Sequence, residues 1–256
     1  MTAVKPMPFF QVPPPTRYDL NFTLAGIPVR VHPLFWLIAI LFGLNSNTLI
    51  GLVIWVVVVF ISILIHELGH SMAMRMYGQE SFIVLHMMGG LAVPQSSRWR
   101  ARGGDESTQQ IVISLAGPIA GFLFAGLVIA LVVVLGGAVS INWLFGFIPI
   151  PSAFLPAGGS IGNTIISVLL WVNVFWGLIN LIPVYPLDGG HVARNLFIKA
   201  DPWDGFRKSL WLSTIAGAIV AVAGLIFLRS IWIGLLFGIL ALQSYQTLQG
   251  RGGGMF

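Results

Sequence analysis

The segment His66-Glu67-Leu68-Gly69-His70 combines two imidazoles and a carboxylate within five residues. In an α-helix, residues four apart lie on the same face, so both imidazoles can reach one metal ion. Zinc is commonly bound by histidine nitrogens in this way. Glu67 lies on a neighbouring face, where it can reach a water at the metal without binding the ion, as a general base requires. The pattern therefore predicts a zinc site with hydrolytic chemistry.

A structural alternative is a histidine pair that is hydrogen-bonded between helices, with the glutamate as its partner. The 17 residues before the motif, Leu49 to Ile65, carry no charge. Ionisable groups that interrupt such an apolar stretch are costly and usually functional. We therefore favour a functional site at His66, Glu67 and His70.

Catalytic zinc usually has three protein ligands, so the two histidines need a third from elsewhere in the chain. The candidates are Asp188, His191, His86 and His32. Asp188 directly follows the uncharged stretch 107–187. The prolines and glycines around it predict a break in the helix. Unwound backbone at membrane depth is tolerated where it lines a cavity. We favour Asp188, for which helix capping or an ion pair with Arg194 is the alternative; His191 is its main rival.

The composition indicates a membrane as the main solvent of the chain. Hydrophobic residues make up 57% of the 256 positions and charged residues only 8%, against about 25% charged in soluble domains. Six segments are apolar and long enough to cross a bilayer, at 31–45, 49–77, 109–137, 163–198, 209–228 and 230–248. The net charge of +5 forms no basic patch, so we expect no nucleic-acid partner.

Two short stretches lack helical periodicity and predict β-structure. Ser81–Pro94 is apolar, β-branched and ends at a proline, as a strand or hairpin would. Asn21–Val31, before the first crossing, has the same character. The predicted fold class is thus an all-α polytopic membrane protein with about six transmembrane helices and a small β-hairpin insertion between helices 2 and 3.

The distribution of positive charge predicts the orientation. With the N-terminus in the cytosol, 12 of the 13 lysines and arginines fall in cytoplasmic loops or adjoining helix ends, and only Arg229 does not. We expect a multi-pass protein of a bacterial cell membrane, with both termini and the opening of the site on the cytoplasmic side. The expected domains are a cytosolic segment 1–30, an intramembrane domain 31–249 and a flexible tail 250–256.

These motifs resemble those of the site-2 proteases, which are intramembrane zinc metalloproteases. The residues that match the two metal motifs of the family are HELGH at 66–70 and, in the second motif, Asn180, Pro183, Leu187, Asp188 and Gly189. Weaker matches lie at 26–32, at Gly89-Gly90 and at Ala116-Gly117-Pro118. One position departs from the family, because Gly121 stands where many relatives have asparagine. We expect Gly117 and Gly121 to permit close helix packing.

The resemblance implies a role for each matching residue. His66, His70 and Asp188 would bind one zinc ion per chain, Glu67 would activate water, and Asn180 would hold the substrate carbonyl or its oxyanion. The implied reaction is hydrolysis of peptide bonds within or next to transmembrane segments of membrane proteins. The partners would be a transmembrane protein substrate and membrane lipid.

The hairpin suggests how a substrate could be held. An extended substrate could pair with the edge of Ser81–Pro94, where Gly89 and Gly90 would allow close approach of the two backbones. The hairpin could equally plug the mouth of the site. Two other functions compete with proteolysis: transport of a metal ion through the membrane, and a non-catalytic relative that binds membrane proteins. The sequence leaves the substrate and the oligomeric state undetermined.

Overall fold

The computed structural model describes residues 12–46, 48–95, 105–144, 146 and 148–252. Helices dominate this part of the chain, and we number them in order: α1 Pro33–Gly43, α2 Leu49–Met76, α3 Glu106–Val134, α4 Gly159–Asn180, α5 Asp188–Ala200, α6 Gly205–Ile226 and α7 Ile231–Gly252. Five of them, α2, α3, α4, α6 and α7, are long and apolar enough to cross a membrane. The mostly helical, multi-pass fold class is confirmed.

Two of the six predicted crossings differ from the expected segments. The helix in the first, α1, has only 11 residues, or about 17 Å of helix against a hydrocarbon core of about 30 Å. The predicted segment 163–198 is divided into α4 and α5 by the non-helical residues 181–187. Pro183 and Pro186 lie in this break, and a proline cannot supply the backbone N–H that continues a helix.

A four-stranded sheet contains both stretches that were predicted as β-structure. Its strands are β1 Leu20–Leu24, β2 Ile27–Val31, β3 Ser81–His86 and β4 Gly89–Pro94, in the order β1-β2-β3-β4. The predicted hairpin is therefore confirmed as β3–β4, and the earlier stretch is a second hairpin. The two hairpins are joined by parallel pairing of β2 with β3, with Val31 opposite Leu85. Helices α1 and α2 form the crossover between these parallel strands.

A third hairpin was not predicted. It consists of β5 Ala138–Leu144 and β6 Ile148–Phe154, which pair antiparallel. Proline is disfavoured in a central strand, but both strands of a two-stranded sheet are edges, where Pro149 and Pro151 cost no ladder bond if their nitrogens face outward. The side chain of Asn163 in α4 bonds to both the N–H and the C=O of Leu155, at 2.8 and 2.9 Å, and so ties the end of this hairpin to α4.

The chain divides into two compact units, each of which we describe by itself. The sheet unit comprises the described residues within Phe9–Arg100 and Ala116–Leu178, and the C-terminal unit those within Ala101–Leu115 and Ile179–Phe256. In the sheet unit, Ile63 and Leu64 of α2 are buried in one core with Val29 and Leu85 of the sheet. In the C-terminal unit, Gly217 of α6 lies against α7.

The predicted segment and tail at the ends of the chain are only partly within the described residues. Residues 1–11 and 253–256 lie outside them, as do residues 96–104, which include Arg98, Arg100 and Arg102. From residue 12 onward the N-terminal segment contacts the sheet. Arg30 of β2 donates one hydrogen bond to the carbonyl of Pro13, at 2.7 Å, and forms an ion pair with Asp19, at 3.2 Å.

Candidate metal centre

The first motif lies within an unbroken stretch of α2 and is buried. The side chains of His66, Glu67 and His70 are 4%, 5% and 7% exposed. The Nε2 atoms of the two histidines lie 3.1 Å apart, and their rings are nearly perpendicular at 79°. One ligand atom from each of the three residues lies within 4.8 Å of the others. The helix thus brings these predicted residues together in a group that can hold a metal ion.

The geometry around the two imidazoles fits a bound zinc ion. Two nitrogens at 2.0–2.1 Å from one tetrahedral zinc lie about 3.3 Å apart, close to the 3.1 Å between the two Nε2 atoms. Gly117 of α3 faces them: a Cβ on this residue would collide with Nε2 of His70 and lie 2.8 Å from Nε2 of His66. The absence of a side chain at Gly117 therefore leaves the space in front of both nitrogens open.

The start of β4 lies against the glutamate of the same motif. A Cβ on Gly90 would collide with Cγ of Glu67 and lie 2.6 Å from Oε1 of its carboxylate. A Cβ on the preceding residue, Gly89, would instead lie 3.0 Å from the indole of Trp176 in α4. Successive residues of a strand point to opposite faces, so β4 begins between Glu67 and Trp176. Only glycines fit at both positions without displacing a neighbour.

Packing on several sides fixes the position of α2. Its buried residues Ile63 and Leu64 contact the sheet. On the side of α3, a Cβ on Gly69 would collide with the carbonyl of Ala116 and lie 2.8 Å from Cβ of Ala120, so the two helices are in close contact. At its C-terminal end, Arg75 donates a hydrogen bond of 2.8 Å to the carbonyl of Ala25 in the β1–β2 turn. These contacts hold the histidine face of α2 in one orientation.

The second motif lies in the C-terminal unit, around the break between two helices. Asn180 is the last residue of α4 and is 8% exposed. Asp188 is the first residue of α5, after Leu187 at the N-cap position. A Cβ on Gly189 would collide with the carbonyl of Leu181, so the chain in the break folds back over the start of α5. The parts assigned to Asn180 and Asp188 at the metal remain predictions.

The rival ligand His191 lies one turn along α5. Its ring centroid is 5.0 Å from that of Tyr185, and its backbone N–H bonds to the carbonyl of Leu187 at 3.0 Å. Arg194, the expected alternative partner of Asp188, lies over two aromatic rings. Its guanidinium carbon is 4.4 Å from the ring centroid of Phe206 and 5.9 Å from that of Tyr185.

The other two candidate histidines are buried at the ends of the parallel strands. Nδ1 of His32 accepts a hydrogen bond from the N–H of Leu34 and so caps α1, at 3.2 Å. Nδ1 of His86 accepts from the N–H of Met88 in the β3–β4 turn, at 3.4 Å. Burial, and then the positive charges of His32 and Arg30, lower the pKa of His86 to about 4. Both histidines thus support local backbone structure.

Two contributions to the site were missed in the sequence. Gly117 was expected only to aid helix packing, yet it faces the imidazole nitrogens. Asn173 of α4 is 3% exposed and donates a hydrogen bond of 2.9 Å to Ser62, one turn before His66 on α2. Glycine and proline both disfavour a helix interior, so Gly117-Pro118 within an apolar stretch was a signal for the first. A polar residue inside an apolar helix was the signal for the second.

The comparisons with known proteins agree with these observations. Peptidase family M50 matches residues 54–223, which include both motifs. A zinc metalloprotease of Methanocaldococcus jannaschii is 27% identical over 214 residues, which are 80% of this chain and 52% of that protein. The chain spans about half the length of the curated relatives that it matches.

A solved structure shows the same fold. The site-2 protease from Methanocaldococcus jannaschii aligns with a TM-score of 0.53 at 24% sequence identity, over 90% of this chain and 95% of that one. The chain belongs to peptidase family M50 and has the site-2 protease fold.

Proposed function

We propose that this chain is a zinc metalloendopeptidase that hydrolyses peptide bonds within or next to transmembrane segments of other membrane proteins. The observation that carries the proposal is the buried group His66, Glu67 and His70, whose ligand atoms lie within 4.8 Å on a helix of membrane-spanning length. One zinc ion per chain would be held by the two histidines and Asp188. Membership of peptidase family M50 supports the same reaction.

The residues divide the chemistry between them. Zinc, when bound, lowers the pKa of a water toward about 7 and polarises the carbonyl of the substrate. Glu67 takes the proton of the attacking water as a general base and returns it to the leaving amine. Its carboxylate is 5% exposed, so few bulk waters compete for it. Asn180 donates a hydrogen bond to the carbonyl oxygen, on which negative charge develops.

The free edge of β4 is suited to hold the substrate in an extended form. In a helical substrate the carbonyls are hydrogen-bonded within the helix, so a local segment must unwind before it can be cut. The N–H of Gln95 bonds to the carbonyl of Glu80, at 2.8 Å. Along an antiparallel strand, the N–H and C=O groups of alternate residues point toward the partner strand. Since Gln95 points toward β3, the backbone groups of Ala92 and Gly90 point away from it.

A substrate strand paired with this edge would lie beside Glu67, because Gly90 contacts that side chain. Backbone pairing supplies affinity that does not depend on sequence, and alternate side chains supply selectivity. Gly89 and Gly90 would then serve as substrate-binding residues. Among the described residues, β4 pairs with no strand besides β3, so this edge is open to a partner.

The distribution of charge supports a site that opens to the cytosolic side of the membrane, which we take to be that of a bacterial cell. Hydrolysis needs water, and the motif lies in the C-terminal half of α2, toward the end that carries Arg75. Positive residues collect on the cytoplasmic side of membrane proteins. We therefore place the N-terminus and the opening on that side.

The decisive experiment uses the purified protein with zinc and a single-span membrane protein in proteoliposomes. The wild-type chain should cut the substrate within or beside its transmembrane segment, as sequencing of the fragments would show. Glu67→Gln should retain zinc and lose cleavage by at least about 10³-fold, since it removes the base and preserves shape. Cleavage by Glu67→Gln at the wild-type rate, or zinc flux without any cleavage, would refute the proposal.

A further inference from the structure

The hairpin β5–β6 has two edges, which differ in what they can accept. Strand β6 carries Pro149 and Pro151, whose nitrogens have no hydrogen to offer a further strand. Strand β5 carries no proline and no charged residue. Its side chains at 138–143 are all exposed, that of Ile141 by 57%. Proline, charge or a covering element normally protects a strand edge, and within the described residues β5 has none of the three.

The register of the hairpin shows which backbone groups of β5 are available for pairing. Ile141 lies opposite Pro151. A proline cannot donate a ladder bond, so this pair occupies a position where both residues direct their N–H and C=O groups away from each other. The same alternation applies to Val139, two residues earlier. The backbone groups of Val139 and Ile141 therefore point outward from the hairpin, as the addition of a further strand requires.

Strand β5 is complementary to itself. Antiparallel pairing of two copies about Ile141 places Val139 opposite Trp143 and Ser140 opposite Asn142. The first pair sets a β-branched side chain beside an aromatic ring, and the second brings a hydroxyl to an amide with which it can hydrogen-bond. Both kinds of cross-strand pair are favourable. No like charges meet, because the strand has none. A second copy of this chain is thus a fitting partner for the edge.

The faces of the hairpin suit two copies in one membrane. Its apolar face carries Ile141 and Trp143 and, on β6, Ala153, which is buried in one core with Val132 near the end of α3. This face therefore points toward the helices. A twofold axis between antiparallel strands is perpendicular to the sheet, and two copies with the same orientation in a bilayer need an axis perpendicular to the bilayer. A hairpin that lies across the ends of spanning helices satisfies both requirements.

We propose that β5 pairs antiparallel with β5 of a second copy, so that two hairpins form one four-stranded sheet with Ile141 at the twofold axis. The prolines of β6 end this sheet on both sides, so pairing stops at a dimer. The hairpin follows the end of α3 at Val134, and Gly117, which faces the two histidines, lies about 26 Å back along that helix. Pairing through β5 therefore leaves the candidate metal centre uncovered.

Disulfide cross-linking tests the register, since the chain contains no cysteine. In Ile141→Cys the two new thiols face each other, with Cα atoms about 5.5 Å apart, which a disulfide can bridge. Asn142→Cys is the matched control, because position 142 faces position 140 of the other copy and the two Cα atoms at 142 are about 8 Å apart. Differently tagged Ser140→Cys and Asn142→Cys chains, when mixed, should cross-link to each other.

In proteoliposomes at low protein density, we expect mild oxidation to convert Ile141→Cys into a covalent dimer at least about tenfold faster than Asn142→Cys. Ile141→Pro, which removes an outward N–H, should raise the Kd of the dimer about tenfold relative to Ile141→Val, as measured by energy transfer between chains with donor and acceptor tags. Equal cross-linking at 141 and 142, as random collision would give, or a wild-type chain that stays monomeric would overturn the proposal. So would a cross-link from Ile141→Cys to a different protein in cell membranes, because the edge would then belong to another partner.

Discussion

The two motifs that the sequence predicts at the metal are built in different ways. The HELGH motif lies within one helix of 28 residues, where a spacing of four is enough to point both imidazoles at one place. The second motif spans the end of α4, seven non-helical residues and the start of α5. The direction of its carboxylate depends on the path of the chain through that break. The geometry of the first motif is thus local in origin, whereas that of the second depends on tertiary packing.

The difference shows which substitutions each motif should not tolerate. In the first motif, neighbours from other elements keep the site clear: Gly117 leaves the imidazoles open and Gly90 accommodates the glutamate. In the second, glycines allow the break itself to fold. A Cβ on Gly190 would lie 2.5 Å from the backbone nitrogen of Tyr185, whose N–H in turn bonds to Ser213 of α6 at 3.1 Å. Substitutions near the first motif should therefore alter zinc binding or catalysis. Substitutions near the second motif should instead alter the path of the backbone between α4 and α5.

The largest effect should come from removing a predicted ligand from either motif. His70→Asn should lose zinc, because His66 and Asp188 would leave the ion with two of the three protein ligands that catalytic zinc usually has. Asp188→Asn should lower zinc affinity by more than about 100-fold, beyond the 10- to 100-fold typical of losing an outer partner. Zinc content by mass spectrometry and competition with a chelator measure both. His191→Gln is the control for the rival ligand and should stay within tenfold of wild type; the opposite order of the two variants would assign the third ligand to His191.

The second largest effect should separate the two glycines that face the first motif. In Gly117→Ala the new methyl group collides with His70, so both zinc content and cleavage should be lost. In Gly90→Ala the methyl group collides with Glu67, which is the predicted base and not a predicted ligand, so zinc should be retained while kcat falls by about 10²-fold or more. Gly126→Ala, with no neighbour within 4 Å, should resemble wild type in both measurements. Loss of zinc in Gly90→Ala would contradict the division of roles.

The contrast between local patterns and tertiary packing also explains which features could be predicted from the sequence. The positions of His66, Glu67 and His70 follow from helical spacing alone, and the hairpin over Ser81–Pro94 follows from local composition. The parallel pairing of β2 with β3 could not be predicted, because no local pattern sets the register between strands 50 residues apart. The contact of Gly90 with Glu67 depends on that pairing. It therefore had no local signal.

The break in the second motif was only partly predictable. Pro183 and Pro186 indicate that a helix must end nearby, yet they do not indicate that α5 begins at Asp188. The hairpin β5–β6 was not predicted, and its prolines lie in an edge strand, where they are tolerated. Local rules identify breaks and turns, whereas the direction that the chain takes afterwards depends on what it packs against.

A smaller effect concerns the edge of β4. Ala92→Pro removes an N–H that faces away from β3 and no ladder bond, so the protein should fold and retain zinc. If substrates pair with this edge, cleavage of a helical substrate should fall at least tenfold through a higher KM. Ala92→Val keeps the N–H and should cleave normally. Normal cleavage by Ala92→Pro would leave the hairpin as a plug of the site and contradict its role in binding.

The smallest effect should appear in the pH dependence of stability at the hairpin. Burial first, and then His32 and Arg30, hold the pKa of His86 at about 4, below its ordinary 6.5. Between these values the unfolded chain binds a proton that the folded chain does not, so stability falls as the pH is lowered from about 6.5 toward 4.

His86→Asn removes this titration and keeps an acceptor for the N–H of Met88. Wild type should therefore lose more stability than His86→Asn between pH 7 and pH 5, by on the order of 1 kcal/mol after allowance for solvent screening. Thermal unfolding of both proteins in the same detergent at the two pH values measures the difference. The carboxylates titrate equally in both proteins and do not contribute to the difference. Equal losses of stability in the wild type and in His86→Asn would show that His86 is protonated in the folded protein as easily as in the unfolded one. Burial would then not lower its pKa.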